Sequence, residues 1–233
     1  MSLRHYTRDA LHNPLNSLHQ RGTWPLQRAV CSDPNNLHAF KFFFAPTVDS
    51  DDHFICCIPL VPPELIPDDD SEMDTLPVVF TVIGQVAPEE CFLTAVGDQR
   101  EDRPDTTAHK RPLASCLLES RPDRDSCVEW RQLPPAIQCI ASTAVAGDLN
   151  TSRLLRFAPN DGAVQLRVRF VPYEGELKDT LPFFDTSANS RIVPQTINEV
   201  PFNKPLRATF TLEYYREGGE NYLYAELVTL DTL

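Results

Sequence analysis

The sequence predicts an all-β chain: an antiparallel two-sheet β-sandwich, jelly-roll-like, behind a short N-terminal arm. Three observations lead there. The 233 residues hold 21 prolines and only 8 glycines. Proline is excluded from helix interiors and central strands, so this density favours many short strands joined by extended loops. From residue 37 onward, short apolar runs rich in aromatic and β-branched residues are bounded by Pro, Asp and Ser, as buried strands are. Near the end, apolar and polar residues alternate with period two around a Gly-Gly pair, the mark of half-buried antiparallel strands.

The elements follow in order. Residues 1–36 are expected to be the arm and 37–233 the sandwich domain. Within 1–30, Arg4, Arg8, Arg21 and Arg28 stand against Asp9 alone. Such a basic arm on an acidic body either leaves its domain to touch a partner or packs back as a short charged helix. Residues 3–20 have room for one or two helical turns, but Pro14 interrupts a continuous helix. His5, His12 and His19 recur every seven residues; with Pro14 between them they are not expected to share a metal.

Strands are expected at 37–45, 53–60 and 77–86, then at 90–96. Weaker strand signals lie at 113–119 and 127–133. A further strand is expected at 136–145, and 152–157 is ambiguous. In 164–171, Val164, Leu166, Val168 and Phe170 share one face, and Gln165, Arg167 and Arg169 share the other. A proline-rich excursion follows, and the chain closes with a hairpin of 206–216 on 222–230 turning at Gly218–Gly219. Phe210, Leu212, Leu223, Ala225 and Leu227 are expected on its core side, because a one-residue slip would turn them all outward.

The charge and cysteine content narrow the function. A net charge of −12 speaks against a body that binds nucleic acid generally. Arg153, Arg156, Arg167 and Arg169 could form a basic surface, but a solvated strand face is the simpler expectation. Seven cysteines, an odd number, with no C-x-x-C pair favour reduced thiols over a disulfide framework or a structural zinc site. Neither a secretory h-region nor an apolar stretch long enough to span a membrane occurs in the sequence.

Asp49, Asp51 and Asp52 open a candidate acidic site before the apolar run 53–60. Asp68, Asp69, Asp70, Glu72 and Asp74 form another beyond it. Eight extended residues span about 26 Å, so the two clusters cannot share an ion. Loops 61–76 and 97–112 fall at one end of a sandwich, which leaves a calcium site topologically open. The cations of 97–112 (Arg100, Arg103, His109, Lys110 and Arg111) make ion pairing between the loops the expectation. His53 and Cys57 share a face but lie about 13 Å apart along a strand, too far for a Cys–His pair. No nucleophile elbow, phosphate loop, dinucleotide fingerprint or zincin motif occurs. No residue is therefore assigned a catalytic, cofactor-binding or metal-ligating role, and the chain is expected not to be an enzyme.

Asp51-Asp52-His53-Phe54 resembles the Asp-Asp-x-Phe signature of capsid proteins of picorna-like RNA viruses. The resemblance covers four residues together with the strand pattern, and no catalytic role is carried over. It departs from that family in beginning with Met1, as a separately translated subunit would. It implies a structural protein, a viral capsid or capsid-associated subunit assembling through its arm and long loops. Its partners would be copies of itself or other capsid chains, with nucleic acid contacted through the arm, in the virion or host cytoplasm. The alternative is a cytosolic β-sandwich adaptor or a calcium-dependent membrane-binding module.

Overall fold

The computed structural model describes residues 24–25, 40–46, 53–59, 76–77, 79–98, 113–144, 149–159, 161–172, 176–217 and 219–233. For 24–77, 139–144 and 214–217 it describes the backbone alone. Twelve strands lie among the described residues. First come β1 (Trp24–Pro25), β2 (Phe40–Pro46), β3 (His53–Pro59), β4 (Leu76–Pro77) and β5 (Val79–Val86). Then come β6 (Ala114–Glu119), helices α1 (Arg124–Trp130) and α2 (Leu133–Ala144), β7 (Leu155–Phe157) and β8 (Val164–Phe170). The excursion holds α3 (Leu177–Thr180), β9 (Phe183–Asp185), β10 (Ser190–Arg191) and a 3-10 turn at Ile197–Glu199. β11 (Leu206–Glu217) and β12 (Glu220–Thr232) end the chain.

The closing hairpin is as expected. β11 and β12 pair antiparallel from Leu206↔Thr232 to Glu217↔Glu220. Gly219 sits at φ 89°, where a Cβ would be strained. Phe210, Leu212, Leu223, Ala225 and Leu227 are all buried. The register shifts between Thr209 and Phe210, which leaves Val228 unopposed. Such a bulge bends and twists a strand, and these strands must curve.

They curve because the sheet closes on itself. β5 pairs with β6, β6 with β8, β8 with β12, β12 with β11, and β11 with β5 again. Phe80, Val82, Leu118, Leu166, Val168, Phe210 and Leu223 from all five strands belong to one apolar core. The Phe80 and Phe210 rings lie 6.1 Å apart. The ring is thin in two places, because β8 meets β12 through only two residue pairs and β5 meets β6 through two. β2 and β3 extend it from β11, and β9 and β10 from β12.

The chain is predominantly β, as the composition implied, but its sheet is mixed where antiparallel pairing was expected. β8–β12, β9–β12 and β1–β5 are parallel. Pro-rich connections long enough to cross the ring permit this; a hairpin would not. Trp24–Pro25, the described part of the arm, pair with β5.

Three expected strands are something else. Residues 90–96 form turns and coil, with Phe92 N–H donating to Ser115 O at 2.7 Å. Residues 127–133 hold the end of α1 and the start of α2, and 136–145 lie largely in α2. α1 begins where Asp123 Oδ1 accepts from Ser126 N at 2.8 Å, satisfying a helix N–H that has no partner within the helix. That bond, with Arg121 alongside, holds the Asp123 carboxyl below its ordinary range. Pro134 and Pro135 precede the expected strand 136–145. In the first turn of α2 they cost no hydrogen bond, because N–H groups there lack helical acceptors anyway. Leu133, Ala136 and Ile137 then fall on one helical face and are buried.

Trp130 anchors this helical pair to the ring. Its indole is 1% exposed, and Nε1 donates to Ile83 O at 2.9 Å. The ring lies over Gly84, where a Cβ would come within 2.6 Å of Trp130 Cζ2 and 2.5 Å of Glu119 O. Glycine at 84 is therefore a condition of the packing.

Candidate nucleic-acid interface

Alternation on β8 and β12 sorts their side chains into an inner and an outer row. On β8 the inner row is Val164, Leu166, Val168 and Phe170, all in the core. The outer row is Gln165, Arg167 and Arg169. On β12, Leu223, Ala225 and Leu227 point inward, and Tyr222, Tyr224 and Glu226 belong to the opposite row. The parallel register sets Glu226 directly across from Arg169. β7 continues the surface alongside the first half of β8, with Arg156 opposite Gln165.

The four arginines singled out in the sequence meet on this face. Arg169 Nε donates to Glu226 Oε2 at 3.0 Å, and Val171 N–H donates to the other oxygen at 3.0 Å. The same guanidinium lies 3.8 Å from the Tyr224 ring centroid. Arg153, in the turn before β7, lies 4.0 Å over the Tyr222 ring and donates to Tyr224 Oη. Arginine stacks on aromatic faces and keeps its charge while partly buried. The result is two guanidinium–tyrosine pairs side by side.

Arg156 and Arg167 both turn to Glu90, in the turn after β5. Arg156 Nη1 donates to Oε1 at 2.5 Å, and Arg167 Nη2 donates to Oε2. Gln165 donates to Glu119 Oε2, and Gln85 to Glu119 Oε1, both at 3.1 Å. Phe157, next to Arg156 at the end of β7, is 59% exposed, but it lies opposite Val164 and so belongs to the inner row, away from the arginines.

The hairpin end closes the other side. Tyr222 Oη donates to Glu220 Oε2 at 2.8 Å, and Asn150 Nδ2 donates to the same oxygen at 3.1 Å. The Tyr222 bond first, then Asn150 and the charge of Arg153, hold the Glu220 carboxyl below its ordinary range. A carboxylate with a depressed value contributes stability above its unfolded value and loses it as pH falls through the folded one. Acidification below the usual glutamate range is therefore expected to release the Asn150 side-chain amide. An NMR titration of that amide checks this; an unchanged resonance in acid would mean that Glu220 does not hold it.

Counted together, four arginines face Glu90, Glu119, Glu220 and Glu226, so the face is locally balanced on a chain of net charge −12. Arginines interleaved with tyrosines match the chemistry that holds single-stranded nucleic acid: cations for phosphates and flat rings for bases.

Of the other candidates, Asp49, Asp51, Asp52, His5, His12 and His19 lie outside the described residues, as do 61–75 and 99–112. His53 and Phe54 are seen only as backbone, paired with Tyr214 and Glu213. Asp98 Oδ1 accepts from Leu113 N at 3.0 Å, a loop-closing bond. Among the described residues, no group of three or more His, Cys, Asp or Glu is placed to hold a metal, and no helix is long and apolar enough to cross a membrane. Burial raises the Cys91 and Cys116 thiols above their ordinary value. The sequence reading missed Glu90 and the two tyrosines, although placing Leu223 and Ala225 inward already put Tyr222 and Tyr224 outward.

No protein-family model and no curated protein sequence matches the chain. Solved structures do resemble it. The single-stranded DNA-binding protein from bacteriophage Enc34, in complex with ssDNA, matches at 11% identity with a TM-score of 0.44, over 74% of this chain and 96% of that one. The same protein without DNA matches at 11% identity and 0.40, over 82% and 89%. These neighbours correct the expected capsid or capsid-associated subunit, and with it the resemblance to picorna-like capsid proteins. The matching structures are phage DNA-binding proteins, not capsid jelly rolls. Nothing among the described residues supports the adaptor or calcium-dependent membrane module either. A likeness this slight carries no argument about function, which has to rest on the chain's own face.

Proposed function

We propose that the chain is a non-enzymatic single-stranded nucleic-acid-binding protein, with the strand lying across the outer face of β7, β8 and β12. The observation that carries this is the meeting of Arg153, Arg156, Arg167 and Arg169 with Tyr222 and Tyr224. The architecture supports it. Numbered within the ring, β5, β6, β8, β11 and β12 are strands one to five, and the fifth lies between the third and fourth. This is not an up-and-down meander. It suits a partly open five-stranded barrel of the oligonucleotide-binding type, rather than two facing jelly-roll sheets. In such barrels the ligand crosses the second and third strands between the first and last loops. Arg167 and Arg169 are on the third strand, Glu90 is in the first loop, and Glu220 follows the last.

The net charge of −12 does not oppose this reading. Phosphates respond to the cations within about a Debye length, roughly 8 Å in physiological salt, not to a whole-chain sum. The expectation of nucleic-acid contact through the arm gives way here to contact through the barrel.

Fluorescence anisotropy with labelled oligothymidylate, longer than the roughly 16 nucleotides one such barrel covers, tests the reading. Affinity is expected to fall with salt on a log–log line, by about 0.7 per phosphate contact. It should exceed the affinity for duplex DNA of equal length. Absence of binding at low salt, or equal affinity for duplex, would sink the proposal.

A further inference from the structure

Glu90 is out of place on a face that binds nucleic acid. It is one of two described non-glycine residues with positive φ, at 49°, a backbone region that side chains other than Asn and Asp seldom occupy. From there its carboxylate receives Arg156 on one oxygen and Arg167 on the other. Two cations share one anion, so the trio retains one positive charge. The three side chains remain 36%, 42% and 44% exposed, and ion pairs this open to water hold weakly.

We propose that Arg156 and Arg167 form a phosphate seat, and that Glu90 fills it in the free protein as a stand-in for the phosphate. The two non-bridging oxygens of a phosphodiester present to the guanidiniums what the carboxylate now presents, one oxygen each. The strand entering the face displaces Glu90, and the β5–β6 turn that carries it is released from β8. Glu90 thereby lowers affinity for every polyanion and leaves the face to ligands that also supply bases for Tyr222 and Tyr224. The part played by nucleic acid rests on the function proposed above; the seat itself does not.

The experiment separates the two. Glu90→Gln keeps the length of the side chain and removes its charge. Inorganic phosphate is titrated into wild type and Glu90→Gln while the Arg156 and Arg167 Nε–Hε resonances are followed by NMR. Saturable shifts are expected in the variant at phosphate concentrations that leave the wild type unmoved; equal or absent shifts in both would overturn the seat, whatever the protein does with DNA. In parallel, Glu90→Gln is expected to bind oligothymidylate about fivefold more tightly, the release of two exposed ion pairs. Adding Arg167→Ala should abolish that gain and reduce the salt slope by about 0.7. A phosphate response without oligothymidylate binding in either protein upholds the seat and rejects the nucleic-acid reading. Oligothymidylate binding that Glu90→Gln leaves unchanged or weakens upholds the nucleic-acid reading and rejects Glu90 as the stand-in.

Discussion

Replacing Trp130 with alanine is expected to cost about 3–5 kcal/mol, the range for deleting a fully buried large aromatic. Two independent contacts are lost. The indole is 1% exposed within the core, and its N–H is given to Ile83 O at 2.9 Å. Trp130→Phe separates them: it keeps most of the ring and removes the donor, so about 1 kcal/mol should be lost. Gly84→Ala attacks the same contact from the other side, since its Cβ would lie 2.6 Å from the indole and 2.5 Å from Glu119 O. The carbonyl belongs to backbone and cannot simply swing away. Equilibrium urea unfolding checks all three. A Trp130→Ala protein within 1 kcal/mol of wild type would mean that α1 and α2 do not help to hold the ring shut. The consequence reaches the face as well. β5 meets β6 through only two residue pairs beside Gly84, so loosening this corner frees β6, which flanks β8.

The same tryptophan shows how far the sequence was legible. Period-two patterns mark which residues share a face, and in β8 and the closing hairpin the residues expected on the core side are buried; the strand ends and the shift at Thr209/Phe210 were not read. Helix α2 was not. Its apolar residues are too densely set to separate a period of 2 from one of 3.6, and a short apolar run cannot be assigned by periodicity alone. Pro134 and Pro135, just before the expected strand, are no obstacle to the helix, because a helix's first turn accepts proline. Closure of the ring was out of reach for a different reason: the parallel contact of Val168 with Ala225 joins residues 57 positions apart, with no local signature. The candidate face stood between these cases. Its four arginines were named together as a possible basic surface and set aside for a solvated strand face, and their meeting with Tyr222 and Tyr224 is a product of that parallel register. Total charge concealed it further, because a chain-wide sum averages away a few well-placed cations.

Arg169 is expected to be the least interchangeable of the four arginines, because its removal should damage the fold before it damages binding. Glu226 is 1% exposed, and Arg169 keeps only 22% of its side chain in water. Arg169→Ala leaves that carboxylate buried without its cation, and breaking a buried pair costs about 3–5 kcal/mol. The residual exposure of the guanidinium puts the expectation at the lower end, near 3 kcal/mol. It also uncovers the Tyr224 ring, on which the guanidinium lies at 3.8 Å. Arg156 and Arg167 differ, since their shared partner Glu90 is 44% exposed and exposed pairs contribute about 0–1 kcal/mol. A double-mutant cycle separates the two roles. Arg169→Met and Glu226→Met should each destabilise, while the double variant, with neither charge left, should recover most of the loss. The recovered protein should still bind oligothymidylate more weakly than wild type, because one cation and one guanidinium–tyrosine stack are gone. If Arg169→Ala instead unfolds at the wild-type urea midpoint, the pair behaves as a solvated one, and the outer row of β8 is the plain water-facing surface that its alternation first suggested.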